Sequence, residues 1–268
     1  MYKLLLVTDR DDVKEAFNSI PNLNRLMFDP VIVTKNPEEA LLYLKTHGAD
    51  AVGLALSKGD TSKLDDYLAQ ERPFLPLMRT DSRGEALRAD LSRLRDHLDR
   101  VHADFSDDEY SEAMTVSRLQ GEMLHKLLEN RIASLEELDA RLMMLRSPLS
   151  RDRACFLFEF SLPEGGQYLE TRWHHGFERL DLALRANFFG RIEGKLYFSA
   201  ALIDPSCLRV IACPKNDLDE EEVDMLSGSV QEQVLGAAEQ VKAYMDLELF
   251  CTRFTVLNSM AALISGKL

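Results

Sequence analysis

Polar side chains near the start of the chain follow three apolar runs that are short enough to be buried strands. They are Thr8, Asp9 and Arg10 after the first run, Ser57 after the second and Thr80 after the third. Ligands and chemistry gather at the carboxyl ends of parallel strands, because those ends meet at one edge of the sheet. Asp9 could be a Mg²⁺ ligand there, but Mg²⁺ needs clustered oxygen ligands, and a solvated or capping acid is the better interpretation.

The elements that would position these side chains alternate between strands and helices. Apolar runs predict strands at Lys3–Val7, Pro30–Thr34, Ala51–Leu56 and Pro73–Met78. Helical spacing of apolar residues predicts helices at 13–20, 37–47, 63–70 and 82–100. Strands that are apolar throughout and alternate with helices predict an α/β unit, with a parallel sheet covered by helices on both faces.

Three segments of this region carry a resemblance to a known family. They are M-Y-K-L-L-L-V-T-D-R at 1–10, N-P-E-E-A-L-L-Y-L at 36–44 and A-D-A-V-G-L-A-L at 49–56. In order and spacing, about the first hundred residues resemble the receiver domain of bacterial response regulators, which implies a flavodoxin-like (CheY-like) fold. In a working receiver, an acidic pair after strand one helps to bind Mg²⁺ beside an acceptor aspartate at the end of strand three. A Ser or Thr follows strand four, and a lysine follows strand five.

The resemblance puts other residues at these positions. The acidic pair falls on Thr8 and Asp9, the acceptor on Ala55, the hydroxyl near Met78–Thr80 and the lysine near Asp104. A methyl group cannot accept a phosphoryl group, and one carboxylate alone is a poor Mg²⁺ site. Without the lysine, the cation that would pair with the phosphorylated form is missing. Thr8, Asp9, Ala55 and Asp104 therefore mark a vestigial site in a pseudo-receiver at 1–106, which keeps the fold and is not phosphorylated.

The pattern of residues 107–150 predicts a helical linker. An acidic hinge leads into an amphipathic helix around 116–127, and Ser134 with Glu137 forms a capping box that opens a second helix. The first of these helices could pack against its copy in a dimer or on the second domain, and the sequence leaves both possibilities open.

Residues 151–268 follow the order strand, helix, hairpin, helix, strand. The predicted strands are Ala154–Leu162, Leu196–Ile203, Cys207–Cys213 and Phe250–Leu257, and the predicted helices are Arg179–Phe189 and Leu218–Met245. This order predicts an α+β ferredoxin-like domain. After a receiver, it resembles the middle region of AraC-type (YesN-like) response regulators, which can be degenerate diguanylate-cyclase (GGDEF) domains. The hairpin reads I-D-P-S-C at 203–207 in place of G-G-D/E-E-F, so the resemblance implies no cyclase activity.

Composition narrows the possible partners and compartments. The net charge of −13 argues against nucleic-acid binding by these residues, because phosphate neutralisation needs clustered Lys and Arg. The four cysteines lack a C-x-x-C pair and are expected to be reduced, and no signal peptide or membrane span is visible, which predicts a cytoplasmic protein. Neither the adjacent His174 and His175 nor the acidic run 217–224 has a metal-binding pattern, so we expect no metal and no cofactor.

Taken together, the sequence predicts a non-enzymatic signal-transduction module of a bacterial transcriptional regulator. It would act without phosphorylation, as a homodimer or through contacts between its domains. In the resembling regulators a pair of helix-turn-helix motifs follows the middle region, so DNA binding is expected only through a region that 1–268 lacks. Two alternatives stay open: a cyclic-nucleotide enzyme with an atypical site in 152–268, and a sensor for an unidentified small molecule.

Overall fold

The computed structural model describes residues 1–57, 60–78, 80–104, 112–192, 196–216 and 218–264. The chain divides into two compact units. The first comprises residues 1–118 and 140–147, and the second comprises 119–139 and 148–268. Within the described residues no helix combines the length and apolar composition needed to cross a membrane.

The first unit is built on a parallel sheet of four strands. They are β1 (Leu4–Thr8), β2 (Ile32–Thr34), β3 (Ala51–Ala55) and β4 (Leu77–Met78), and their order in the sheet is β2-β1-β3-β4. The predicted parallel sheet is confirmed, although β4 has only two residues of the six expected. All of β1 is buried, because its continuous apolar run is covered on both sides.

Four helices cover the two faces of this sheet. They are α1 (Asp11–Asn18), α2 (Pro37–Thr46), α3 (Ser62–Gln70) and α4 (Gly84–Asp104). Leu4 and Leu6 share a core with α1 and α4, whereas Leu5 and Val7 share a core with α2 and α3. Alternate side chains of one strand point to opposite faces, which explains why β1 supplies both cores.

The predicted bounds of α2, 37–47, are confirmed to within one residue. The Asn36 side chain accepts a hydrogen bond from the backbone N–H of Glu39, and Pro37 occupies the first turn. Gly48 follows the helix with a φ of +71°, a left-handed conformation that glycine adopts without strain.

The position inferred for Asp104 was wrong. Residues 101–104, where the resemblance put a lysine after a fifth strand, form the last turn of α4. The stripe of Leu87, Leu91, Leu94 and Leu98 is buried along this helix, and no glycine or proline interrupts it after Gly84. In the described part of the first unit the sheet has four strands, and Asp104 belongs to α4 and does not follow a strand.

Two helices occupy most of the region predicted to be a linker, α5 (Glu112–Leu128) and α6 (Leu135–Met144). The backbone N–H of Glu137 donates to Ser134 Oγ at 3.2 Å, as the capping box predicts. The Glu137 carboxylate accepts from the N–H of Ala133, one residue before the cap.

The second unit contains an antiparallel sheet of four strands. They are β5 (Cys155–Ser161), β6 (Leu196–Asp204), β7 (Cys207–Pro214) and β8 (Phe250–Leu257), in the order β6-β7-β5-β8. The other elements of this part are α7 (Gly165–Thr171), α8 (Phe177–Asn187) and α9 (Glu220–Met245). Phe156, Phe158 and Phe160 alternate along β5 onto one face, where they share a core with α8 and α9.

The element order predicted for this unit is found, with one addition. Helix α7 was not predicted, because two glycines open it and it is only seven residues long. At the start of α9, Asp219 and Glu222 form a reciprocal capping box. Asp217, at the head of that acidic run, lies outside the described residues.

Candidate functional site

The carboxyl ends of β1 and β3 lie side by side in the first unit. Thr8 and Ala55 are register partners at the end of this strand pair. Thr8 is fully buried, and its Oγ1 donates a hydrogen bond to the Ala55 carbonyl oxygen at 2.7 Å. Thr8 Oγ1 also accepts a hydrogen bond from the backbone N–H of Arg10 at 3.1 Å. The hydroxyl therefore joins the two strand ends as a donor and holds the segment after β1 as an acceptor.

Asp9 is held as a backbone cap. It is exposed, and its Oδ1 accepts a hydrogen bond from the N–H of Ser57 at 2.8 Å, two residues beyond the end of β3. The Ala55 methyl is half-buried against the core shared by α1 and α4. The carboxylate that the sequence marked as a possible Mg²⁺ ligand thus stabilises the turn after β3.

Thr80, within the span where the resemblance puts a hydroxyl, also bonds to β3. It is almost fully buried, and its Oγ1 donates to the Leu54 carbonyl oxygen at 3.0 Å. Its methyl group packs against the backbone of Gly53, where an added Cβ would lie only 2.9 Å from Thr80 Cγ2. The last two carbonyl groups of β3 therefore accept hydrogen bonds from threonines on either side of the strand.

An exposed ion-pair network lies on the same unit, and sequence reasoning missed it. Arg10 and Arg83 both contact Asp12 Oδ2, at 2.6 and 2.8 Å. Hydrogen bonding from Arg10 is the main reason that the pKa of Asp12 falls to about 2. Arg83 also donates to the carbonyl oxygens of Thr80 and Ser82, which ties the segment after β4 to α1. Asp12 and Arg83 are 71 residues apart, and no local pattern indicates such a pair.

The hairpin end of the second unit is closely packed. The N–H of Leu162 donates to the Ser206 carbonyl oxygen at 2.8 Å. Gly165 approaches the β6–β7 turn so closely that an added Cβ would lie 1.7 Å from the Pro205 carbonyl oxygen. Two hydrogen bonds from Ser206 are the main reason that the pKa of Asp204 is lowered. The β6–β7 turn is thus closely packed against Gly165 and has internal hydrogen bonds between Asp204 and Ser206.

A cleft lies at the opposite end of the same sheet, near the N-terminus of α9. Its volume is about 540 Å³. The polar residues that line it are Asp152, Arg153, Asn216, Asp219, Asp224 and Asn258. Arg153 donates to the carbonyl oxygens of Pro214 and Lys215, and Asp219 caps α9, so both are fixed by the fold. Sequence analysis did not identify this cleft, because its lining comes from four separate segments.

A buried polar cluster joins α5 and α8 to the outer edge of β6. His125 Nδ1 donates to the Ala200 carbonyl oxygen at 2.9 Å, and Asp181 Oδ1 accepts from the N–H of Leu202 at 2.7 Å. His125 Nε2 lies 3.5 Å from both Asp181 Oδ2 and Glu129 Oε2. Burial is the largest cause that raises the pKa of Asp181. The hydrogen bonds of this cluster attach α5 and α8 to β6.

The other residues considered as ligands are not brought into a metal site. Among the described residues no group of three or more His, Cys, Asp or Glu is arranged to hold a metal ion. His175 packs edge-on against Trp173 in the turn before α8. All four cysteines are free, and Cys155 and Cys213 are fully buried.

Comparison with known proteins gives no family for this chain. No protein-family model matches it, and a search of curated proteins also found no match.

Proposed function

We propose that the chain is a phosphorylation-independent signal-transduction module of the response-regulator type. In this proposal a pseudo-receiver is followed by a degenerate, ferredoxin-like domain, and the signal passes through dimerisation or contacts between the domains. The observation that carries the proposal is the hydrogen bond from Thr8 Oγ1 to the Ala55 carbonyl oxygen. It joins two of the positions that phosphorylation would require, and neither side chain is acidic.

The strand order of the first sheet supports the receiver part of the proposal. The order β2-β1-β3-β4 matches the first four strands of the flavodoxin-like order 2-1-3-4-5. The surviving acid, Asp9, supplies its Oδ1 to the backbone of Ser57. A single exposed carboxylate in this role is a poor start for a Mg²⁺ site, which needs several oxygen ligands in octahedral geometry.

The second sheet supports the degenerate ferredoxin-like part. Its antiparallel order and its strand-helix-hairpin-helix-strand connections are those of a split βαβ arrangement. The close approach of Gly165 to Pro205 leaves little room for a nucleotide phosphate beside the hairpin. This packing favours a regulatory domain over a cyclic-nucleotide enzyme.

Helix α5 is the element through which we expect the signal to pass. Its C-terminal half, which belongs to the second unit, is bonded to β6 twice. Ser199 Oγ donates to the Gly121 carbonyl oxygen at 3.0 Å, and His125 donates to the Ala200 carbonyl oxygen. A displacement of α5 would therefore act directly on the edge of the second sheet.

Phosphoryl transfer from acetyl phosphate tests the proposal. The chain is incubated with acetyl phosphate and Mg²⁺, beside a phosphorylatable receiver domain as a positive control, and intact masses are measured. We expect the mass of the chain to stay unchanged while the control gains a phosphoryl group. An acyl phosphate formed within residues 1–104 would refute the proposal.

The cleft at the N-terminus of α9 favours a second candidate function, that of a small-molecule sensor. A volume of about 540 Å³ is within the range of ligand pockets, and its lining combines apolar residues with several polar groups. A thermal-shift screen of nucleotides and metabolites tests this candidate, because a ligand that binds only the folded state raises the unfolding temperature. A hit that is lost in Asn258→Ala would support it, and turnover of GTP would instead support the cyclic-nucleotide enzyme.

A further inference from the structure

The two edges of the second sheet are protected very differently. At the β6 edge, the Leu202 N–H and the Ala200 carbonyl are satisfied by side chains from α8 and α5. At the β8 edge, strand pairing is seen only on the inner side, with β5, within the described residues. An open edge presents a row of backbone donors and acceptors that can pair with another strand.

The composition of β8 is typical of a strand that pairs on both of its edges. It is eight residues long, has no proline or lysine, and carries one charged residue, Arg253. Residues 250–253 are exposed, and Phe250 keeps 50% and Val256 36% of their surface. Natural edge strands that stay unpaired are normally short, charged or interrupted by proline.

An apolar groove continues this edge onto α9. Its volume is about 240 Å³, and Leu235 and Ala238 of α9 face Leu249 and Phe250 across it. Glu239, Lys242 and Glu248 form its polar rim. The groove lies at the Phe250 end of β8. Val256, which is 36% exposed and also lines the cleft at the N-terminus of α9, lies at the other end. One strand therefore carries both a groove and an exposed apolar side chain.

We propose that β8 pairs antiparallel with β8 of a second copy of this chain, about a two-fold axis at Phe254. Cys251, Phe254 and Val256 lie on the same face, because their partners Phe160, Phe158 and Phe156 all belong to the core beneath α8 and α9. The bulge beside Thr252 keeps Cys251 on that face. The symmetric pairing then places Phe254 against Phe254 of the second copy. Val256 of each copy lies beside Cys251 and the groove of the opposite copy.

Charge does not oppose a second copy at this place. The chain carries a net charge of −13, whereas β8 has no acidic residue and one basic residue, Arg253. In the proposed register, Arg253 faces Thr255 of the second copy, and it is already paired with Glu159 of its own sheet at 3.8 Å. The two Arg253 side chains lie diagonally across the two-fold axis, and each keeps Glu159 of its own sheet as a partner. An aromatic pair lies at the centre of the pairing, and aromatic pairs stabilise antiparallel strands.

The β8 pairing locates the dimer interface of the proposed function, and in this respect it rests on the proposed function. The two can fail separately. Phosphorylation of the first unit would refute the pseudo-receiver and leave the β8 pairing intact. A strictly monomeric chain would refute the pairing and leave the loss of phosphotransfer intact.

Light scattering of the full chain during size-exclusion chromatography tests the pairing. We expect a dimer, and we expect Val256→Glu to raise its dissociation constant by about tenfold or more, because an acid is buried against the groove of an acidic partner. Leu182→Glu is the matched control: Leu182 is an equally apolar, exposed residue of α8 in the same unit, and its variant should stay dimeric. A monomeric wild-type chain, or a Val256→Glu variant as dimeric as the wild type, would overturn the proposal.

Crosslinking tests the register without a disruptive change. In Val256→Cys, the new thiol should lie beside Cys251 of the second copy. Diamide takes up the two electrons and two protons released as the sulfur–sulfur bond forms, so a covalent dimer should appear on a non-reducing gel. The double variant Val256→Cys with Cys251→Ser should stay uncrosslinked. If Val256→Cys gives no covalent dimer, or the double variant crosslinks equally, the proposed register is wrong.

Discussion

Thr8 and Ala55 end neighbouring strands and are joined by a hydrogen bond of 2.7 Å from Thr8 Oγ1 to the Ala55 carbonyl oxygen. A carboxylate at position 8 could not donate this bond, because an ionised acid is only an acceptor. Thr8 is therefore a structural donor, a role that an ionised acid at this position could not take.

Thr8→Val should destabilise the first unit. The isosteric change removes the donor to Ala55 and the acceptor for Arg10. Because Thr8 is fully buried, we expect the free energy of unfolding to fall by about 1–3 kcal/mol. Far-UV circular dichroism in urea would measure the free energy of unfolding, and hydrogen exchange of β1 would localise the change. Thr8→Ser keeps the hydroxyl and should cost less. Equal stability of Thr8→Val and wild type would show that the bond has no structural role.

Ala55→Asp alone should not create a phosphorylation site. The new carboxylate would stand beside Thr8, and the acid next to Thr8 in sequence, Asp9, has its Oδ1 bonded to Ser57. We expect no phosphoryl group from acetyl phosphate and Mg²⁺ by intact mass. The double variant Thr8→Asp with Ala55→Asp restores three carboxylates and should show Mg²⁺-dependent thermal stabilisation. Phosphorylation of the single variant would mean that Thr8 is no obstacle.

The fold of the first unit was largely predictable from local patterns. The spacing of apolar residues predicted α2 and α4, because helix periodicity is encoded within a few residues. The shortness of β4 was not predictable, because the length of an edge strand depends on pairing with its neighbour.

The contacts of the candidate site were less predictable than the elements. Sequence placed Thr8 and Ala55 at strand ends but could not give the Thr8–Ala55 hydrogen bond, which depends on register. The inferred place of Asp104 failed for a different reason: it came from a family pattern with five strands, whereas the leucine stripe continues as helix into that segment. Gly165 gave no signal, because its role depends on a turn 40 residues away in sequence.

His97 should make the stability of the first unit depend on pH. It is nearly buried in α4, and burial, followed by the nearby Arg100, lowers its pKa to about 4. The unfolded chain binds this proton near pH 6.5, so stability is full above about pH 6.5 and falls as the pH drops towards 4. The difference between the two pKa values corresponds to a contribution of about 3 kcal/mol to the free energy of unfolding. About 2 kcal/mol of this contribution is lost between about pH 7 and pH 5.

Urea unfolding at the two pH values measures this loss. His97→Gln should remove most of it, whereas His47→Gln, at the exposed end of α2, should retain it. If His97→Gln keeps the full pH dependence, another group is responsible.

Gly165→Ala should destabilise the second unit, and Gly166→Ala should not. A Cβ at Gly165 would lie 1.7 Å from the Pro205 carbonyl oxygen, so the hairpin must move away from α7. A Cβ at Gly166 meets no heavy atom within 4 Å. We expect a loss of about 1–3 kcal/mol at Gly165 from overpacking. At Gly166 we expect a small gain in stability, because alanine favours the helix.

Trp173 is the only tryptophan and follows α7 closely, so its fluorescence in urea reports on this part of the unit. Equal midpoints for the two variants would show that the β6–β7 turn is free to move, and that the hairpin end of the sheet has room for a ligand.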